Sequence, residues 1–292
     1  MSRAARFVLL TLALSYFYAA GFYLAGVPWN TPAAQLVGVG YMFIPTAVVL
    51  LLERGNIRKL DVVWRPNRWW LVAWLLPAAI SLAALGVSLL FPGVTYSPEM
   101  EGLWARLERF LPPTALDQMK QQAGLLPVHP FWLALVQGLA AGATVNAAAA
   151  FGEELGWRGF LLRELASRGF WRASLCIGLI WGIWHAPLIL QGHNYPQHPQ
   201  TGAAMMVAWC LLLSPLFSWV RLKSGSVLAP ALMHGSLNGT AGLSFMLIKG
   251  GNDLTVGITG AAGMVVLGGL NLLLLAGYRR FGLACFNEPP FK

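Results

Sequence analysis

Apolar runs of about twenty residues, the helix length that crosses the hydrocarbon of a bilayer, recur along this chain of 292 residues. Eight stretches qualify, at approximately 7–27, 33–52, 69–91, 131–164, 173–191, 203–221, 226–248 and 254–278. Only 11% of the residues are charged and 57% are hydrophobic, against about 25% charged in an ordinary soluble domain. Too little polar surface is left to face water, so lipid must supply the missing apolar solvent. The sequence predicts an all-α, polytopic membrane protein of about eight transmembrane helices, forming one integral domain over residues 1–292. Arg3 and Arg6 ahead of the first run also resemble a signal peptide. No sizeable soluble stretch follows, so a retained first helix is the reading adopted.

Charge counting tests this layout. With eight spans, one side of the membrane receives 16 of the 20 basic residues, the other only Arg106, Arg109, Lys120 and Lys249. Such asymmetry is the positive-inside pattern, and it sets both termini in the cytoplasm. The net charge of +9 is thereby explained by topology. No basic run is interleaved with aromatics, and a nucleic-acid partner is not expected. Cys176, Cys210 and Cys285 form no CxxC pair and define neither a disulfide framework nor a zinc site.

The longest connection, residues 92–130, falls on the sparsely charged, extracytoplasmic side. Leu103, Leu107, Phe110 and Leu111 recur there at helical spacing, which suggests a short interfacial helix.

Glu153 and Glu154 follow an Ala-rich apolar run and precede Leu155, Gly156 and Trp157. A carboxylate at membrane depth is costly unless it is paired or faces a wet cavity. Arg158, four residues after Glu154, lies on the same helix face and can pair with it. Glu153 is turned by about 100° from Glu154 and needs another partner. His185 supplies one candidate; His234 and Asn238, four apart on one helix face, supply two more. Counted from the basic ends of their helices at 1.5 Å per residue, these groups lie roughly 12–18 Å deep. His129, His193 and His198 read as loop residues.

In order and spacing these residues resemble the CPBP family, the Abi-type group of CAAX-protease and bacteriocin-processing intramembrane proteases. Glu153-Glu154-Leu155-Gly156-Trp157-Arg158 matches its two glutamates followed after three residues by Arg. Trp181 and His185 match an aromatic four residues before a His, where Phe is usual. His234 and Asn238 match the third motif. The resemblance covers about residues 131–250, a family-like catalytic core. It implies an endopeptidase in which Glu153 and His185 activate water while His234 and Asn238 stabilise the oxyanion, with Glu154 held by Arg158. It also implies a peptide or protein substrate cut near the membrane or its own C-terminus, a lipid environment, and a bacterial cytoplasmic (inner) membrane. Zinc on Glu153, Glu154, His185 and His234 is the alternative chemistry. Without an HExxH pair, a metal-free glutamate protease with no cofactor is the expected form. The rival readings are a catalytically silent immunity or scaffold protein, and an ion-coupled transporter using the same buried charges.

Overall fold

The computed structural model describes residues 1–26, 31–108, 111–281 and 283. Arg109, Phe110 and Cys285, together with the basic Lys292, lie outside the described residues.

Helix α1 (Arg3–Leu24) starts at Ser2, whose hydroxyl accepts from the Ala5 amide. The next apolar stretch folds as two helices, α2 (Pro32–Met42) and α3 (Ile44–Leu52), with Pro45 in the first turn of α3. Proline is tolerated there because the first-turn N–H groups have no helical partner. Helix α4 (Arg68–Ser88) is capped by the Asn67 side chain, which accepts from the Trp69 amide. In the long connection that follows, β1 (Thr95–Tyr96) precedes two short helices, α5 (Glu101–Leu107) and α6 (Pro113–Gly124).

The chain then forms α7 (Pro130–Gly142), α8 (Val145–Glu154), a π-helical segment Leu155–Leu161 and a last α turn, α9 (Leu162–Glu164). After these come α10 (Phe170–Ile189), α11 (Pro199–Ser224), α12 (Leu228–Thr240), α13 (Leu243–Met246), β2 (Ile248–Lys249) and α14 (Ala261–Ala276). The two short strands pair antiparallel, Tyr96 opposite Ile248. Leu103 and Trp104 of α5 pack against a small cluster of Met100, Phe131, Leu243 and Met246.

Among the described residues, α1, α4, α10 and α11 are each long and apolar enough to cross a membrane. The α7 helix and the Val145–Glu164 run qualify together, as a pair bent by 51°. The chain is therefore an almost wholly helical integral membrane protein. All eight apolar stretches of the sequence carry helix, but three of them are interrupted. The run 131–164 departs most from the single helix its periodicity predicts, because α12 packs against both of its halves. A Cβ on Gly142 would sit 2.6 Å from the Ser236 Cα, and one on Gly138 would sit 2.3 Å from the Gly239 carbonyl oxygen. Small residues permit such close backbone approach, which in a membrane supplies helix association through contact rather than burial from water. The bend between Gly142 and Val145 keeps both halves on α12. This contact sets the position of the α12 side chains relative to those at the end of α8.

Candidate active site

Glu153 and Glu154 end α8 at the point where the helix widens into its π-helical turn. Such i→i+5 turns cost regular hydrogen bonding and occur mainly where a helix must present side chains in an unusual register. Glu154 lies with its Oε1 3.1 Å from Arg158 Nη1, both side chains fully buried. The same oxygen is 2.9 Å from His234 Nδ1. Arg158 is enclosed between rings, its Cζ 4.5 Å from the Trp181 centroid and 4.7 Å from that of Phe217, where cation–π attraction offsets part of its lost hydration. It is thus a buried partner within the bundle, although the topology count grouped it with the loop charges.

Glu153 points elsewhere, as the helix rotation predicts. Its Oε2 accepts from the indole Nε1 of Trp181 at 2.7 Å, and its carboxylate lines a cavity of about 340 Å3. His185, His234 and Asn238 line the same cavity. Three helices, α8, α10 and α12, therefore bring the sequence-selected groups together. His185 lies deeper than its spacing predicts. Helix α10 begins at Phe170, so His185 lies about 22 Å along it, nearer the far end than the roughly 12–18 Å estimate.

Hydrogen bonding fixes which ring nitrogens face the cavity as acceptors. His185 Nδ1 is 2.8 Å from the Trp181 carbonyl oxygen. A carbonyl can only accept, so Nδ1 carries the proton and Nε2 of the neutral ring keeps its lone pair. His234 donates through Nδ1 to Glu154; its Nε2 becomes a donor only when the ring is imidazolium. Asn238 is exposed within the cavity wall, and its amide makes no hydrogen bond among the described residues.

The helix carrying His185 is braced from the N-terminal third of the chain. Pro187 lies inside α10 and cannot donate to the carbonyl four residues back, that of Ile183. The Tyr16 hydroxyl of α1 donates to that carbonyl at 2.8 Å. Tyr41 of α2 donates to the Trp184 carbonyl at 2.6 Å, and the Trp184 indole donates to Ser15 at 2.7 Å. Tyr41 also lines the cavity. A tyrosine on an apolar helix gives no sequence signal of that role.

Two loop histidines remain loop residues. His129 accepts from the Phe131 amide at the start of α7, and His198 pairs with Asp253 at 2.6 Å. His193 differs: with Asn194 it lines the cavity, because the α10–α11 connection folds back over the end of α10. Trp181, which the sequence marks only as an unusual aromatic, contributes the donor to Glu153. Its indole N–H, once buried, had to find an acceptor.

Among the described residues, no three His, Cys, Asp or Glu side chains converge in metal-holding geometry. Glu154 is engaged by Arg158 and His234, and one oxygen of Glu153 by Trp181.

Comparison with known proteins follows the same segment. Residues 127–240 match the model of the type II CAAX prenyl endopeptidase Rce1-like family. The chain is also 33% identical over 93 residues to CAAX prenyl protease 2 of Methanococcus maripaludis, a match covering 30% of this chain and 34% of that relative. The match thus spans about a third of the curated relative's length. Residues 127–240, matched by the family model, contain the helices that carry the two glutamates, His185 and His234. Over residues 127–240, roughly two-fifths of its length, this chain is similar to the Rce1-like CAAX prenyl endopeptidase family.

Proposed function

We propose that the protein is an intramembrane endopeptidase with Glu153 as its proton-transferring carboxylate. The observation that carries this reading is the division of labour between adjacent glutamates. Glu154 is neutralised by Arg158 and His234, whereas Glu153 faces a cavity shared with two imidazoles and an amide. A general base must stand within hydrogen-bond reach of the water it activates, and the cavity has room for roughly ten waters at about 30 Å3 each.

In the proposed reaction, His185 Nε2 accepts a hydrogen bond from the attacking water and holds it near Glu153. Glu153 takes one proton as the water oxygen bonds to the scissile carbonyl carbon. The carbonyl oxygen becomes an oxyanion facing the Asn238 amide and the Nε2–H of protonated His234, donors of the kind that stabilise tetrahedral intermediates. Collapse breaks the C–N bond, and Glu153 returns its proton to the departing amine. Every step uses a group already lining the cavity.

The substrate class we favour is a membrane-associated peptide or protein cut near its C-terminus or near the membrane. The family and relative both carry prenyl-CaaX names, which makes a prenylated CaaX peptide the first probe. The proposal includes eight spans with both termini on the basic, cytoplasmic side of a bacterial inner membrane. It also includes residues 92–130 outside that membrane, a core over 131–250, and metal-free chemistry.

The test is cleavage of a farnesylated CaaX peptide and of its unprenylated counterpart by the purified protein in membranes, with and without a zinc chelator. Glu153→Ala, His185→Ala and His234→Ala should each lose about a hundredfold or more in rate while remaining folded. Wild-type cleavage by all three folded variants would remove the active-site assignment. Loss on chelation that zinc alone restores would overturn the metal-free chemistry.

A further inference from the structure

A second cavity lies away from the catalytic one, where α4, α11 and α14 meet at the basic side of the bundle. The three helices pack on one another, and each brings one cation to the same end. Arg68 is the first residue of α4, Lys223 is next to last in α11, and Arg280 follows α14 by four residues. All three line a cavity of about 380 Å3 together with Trp69, Val72 and Phe281. That volume falls within the range of small-molecule sites, roughly 300–1,000 Å3.

Its wall is aromatic as well as cationic. Trp69 meets Trp219 edge to face at 4.9 Å, and Trp219 meets Phe281 at 5.6 Å. The Arg68 guanidinium carbon is 5.4 Å from the Trp69 ring. Tryptophan with Lys or Arg at helix ends marks the level of lipid headgroups.

No carboxylate lines this cavity, and none pairs with Arg68, Lys223 or Arg280 among the described residues. Neighbouring Arg221 is different, because Asp61 already pairs with it. Among the described residues these three like charges have no counterion and repel one another, and an anion between them converts that repulsion into attraction. Guanidinium groups suit a phosphate through paired N–H donors, and an ammonium adds a point charge.

We propose that this cleft binds the phosphate of an anionic phospholipid headgroup, with the aromatic wall against the upper acyl chain. The chemistry recognised is a phosphate anion; its placement at the ends of spanning helices assigns the lipid as the source over free phosphate. The assignment is independent of the protease reading.

Native mass spectrometry of the whole protein, released from nanodiscs of phosphatidylcholine mixed with phosphatidylglycerol, tests this. Wild type should retain phosphatidylglycerol preferentially. Each of Arg68→Gln, Lys223→Gln and Arg280→Gln should weaken retention by about fivefold, the share of one headgroup-level cation. Charge-matched single controls, Arg54→Gln, Arg58→Gln and Arg65→Gln made one at a time, should each leave retention near wild type. Equal loss in the control and cleft variants would mean diffuse surface charge and overturn the site.

A second measurement uses the unaltered protein. Hydrogen exchange at residues 68–72 and 219–224 should slow with phosphatidylglycerol and stay unchanged with inorganic phosphate in phosphatidylcholine discs. Equal slowing by inorganic phosphate would overturn the lipid assignment in favour of a soluble anion. No slowing with either would overturn the site altogether.

Discussion

The indole of Trp181 donates to Glu153 Oε2 at 2.7 Å, and the carbonyl of the same residue accepts from His185 Nδ1 at 2.8 Å. One residue thus orients both groups proposed to activate water. Its side chain fixes the carboxylate, and its backbone fixes the imidazole tautomer. An aromatic ring alone would satisfy the family-like pattern at this position, and the indole of Trp181 adds a hydrogen-bond donor to it.

Trp181→Phe keeps the ring and the backbone carbonyl and deletes the donor. A hydrogen bond to a charged group contributes about 1.5–3 kcal/mol to stability, so the variant should lose up to that much, and kcat should fall by roughly tenfold or more as the carboxylate loses its orientation, with KM near wild type. Trp181→Ala should lower stability further, since the ring also packs on Arg158 and His234. Steady-state kinetics beside thermal unfolding separates the two. An unchanged kcat in Trp181→Phe would assign the indole to packing alone.

The adjacent glutamates should fail differently. Glu153→Gln should abolish cleavage and leave the fold intact, because the side chain accepts its hydrogen bond from Trp181 and an amide oxygen can accept it too. Glu154→Gln removes the charge facing buried Arg158. Breaking one side of a buried ion pair costs about 3–5 kcal/mol, so this variant should unfold at markedly lower temperature. Thermal unfolding and cleavage measured on both proteins would reveal the contrast; similar stabilities would mean that Glu154 carries no structural charge pairing.

Much of this site could be read in the sequence because its chemistry is incompatible with lipid. Glu153, Glu154, His185 and His234 stand out in apolar runs, and the four-residue spacings of Glu154 to Arg158 and His234 to Asn238 follow from the helix period. What stayed hidden depends on contacts between distant segments. Tyr16 and Tyr41 are ordinary in an apolar helix, and their role follows only from the carbonyls of Ile183 and Trp184 that they reach. His193 reads as a loop residue because no helical period covers it. The bend after Gly142 also escapes periodicity, since its cause is the α12 backbone, some hundred residues away. The π-helical turn after Glu154 has no sequence signature that periodicity can detect.

That bend leads to a packing prediction. A Cβ on Gly239 would lie 2.2 Å from the Gly138 carbonyl oxygen, a contact that only backbone movement can relieve. Gly239→Ala should therefore destabilise the protein by about 1–3 kcal/mol. It should also reduce cleavage, because α12 carries His234 against Glu154. Gly242→Ala, where a Cβ meets nothing within 4 Å, is the control. Unfolding temperatures of the two variants give the answer, and equal values would remove the close-contact explanation of the bend.

Asn194 stands at the junction of two spaces. It lines the cavity of about 340 Å3 beside Glu153 and a neighbouring cavity of about 270 Å3 bordered by Leu103, Leu107 and Phe245. The residue has φ +59°, a left-handed conformation that Asn and Gly adopt more readily than other residues. Asn194→Gly therefore preserves the turn while removing the side chain shared by both spaces. If the two cavities form one path for substrate, widening their junction should favour peptides with a bulkier group beside the scissile bond. The expected change is a roughly tenfold shift in relative kcat/KM between bulky and small peptides, the scale set by a methylene or two in an apolar pocket. Competition between the two peptides in one reaction measures that ratio directly. A ratio identical to wild type, with stability retained, would separate the outer cavity from the substrate path and confine recognition to the residues around Glu153.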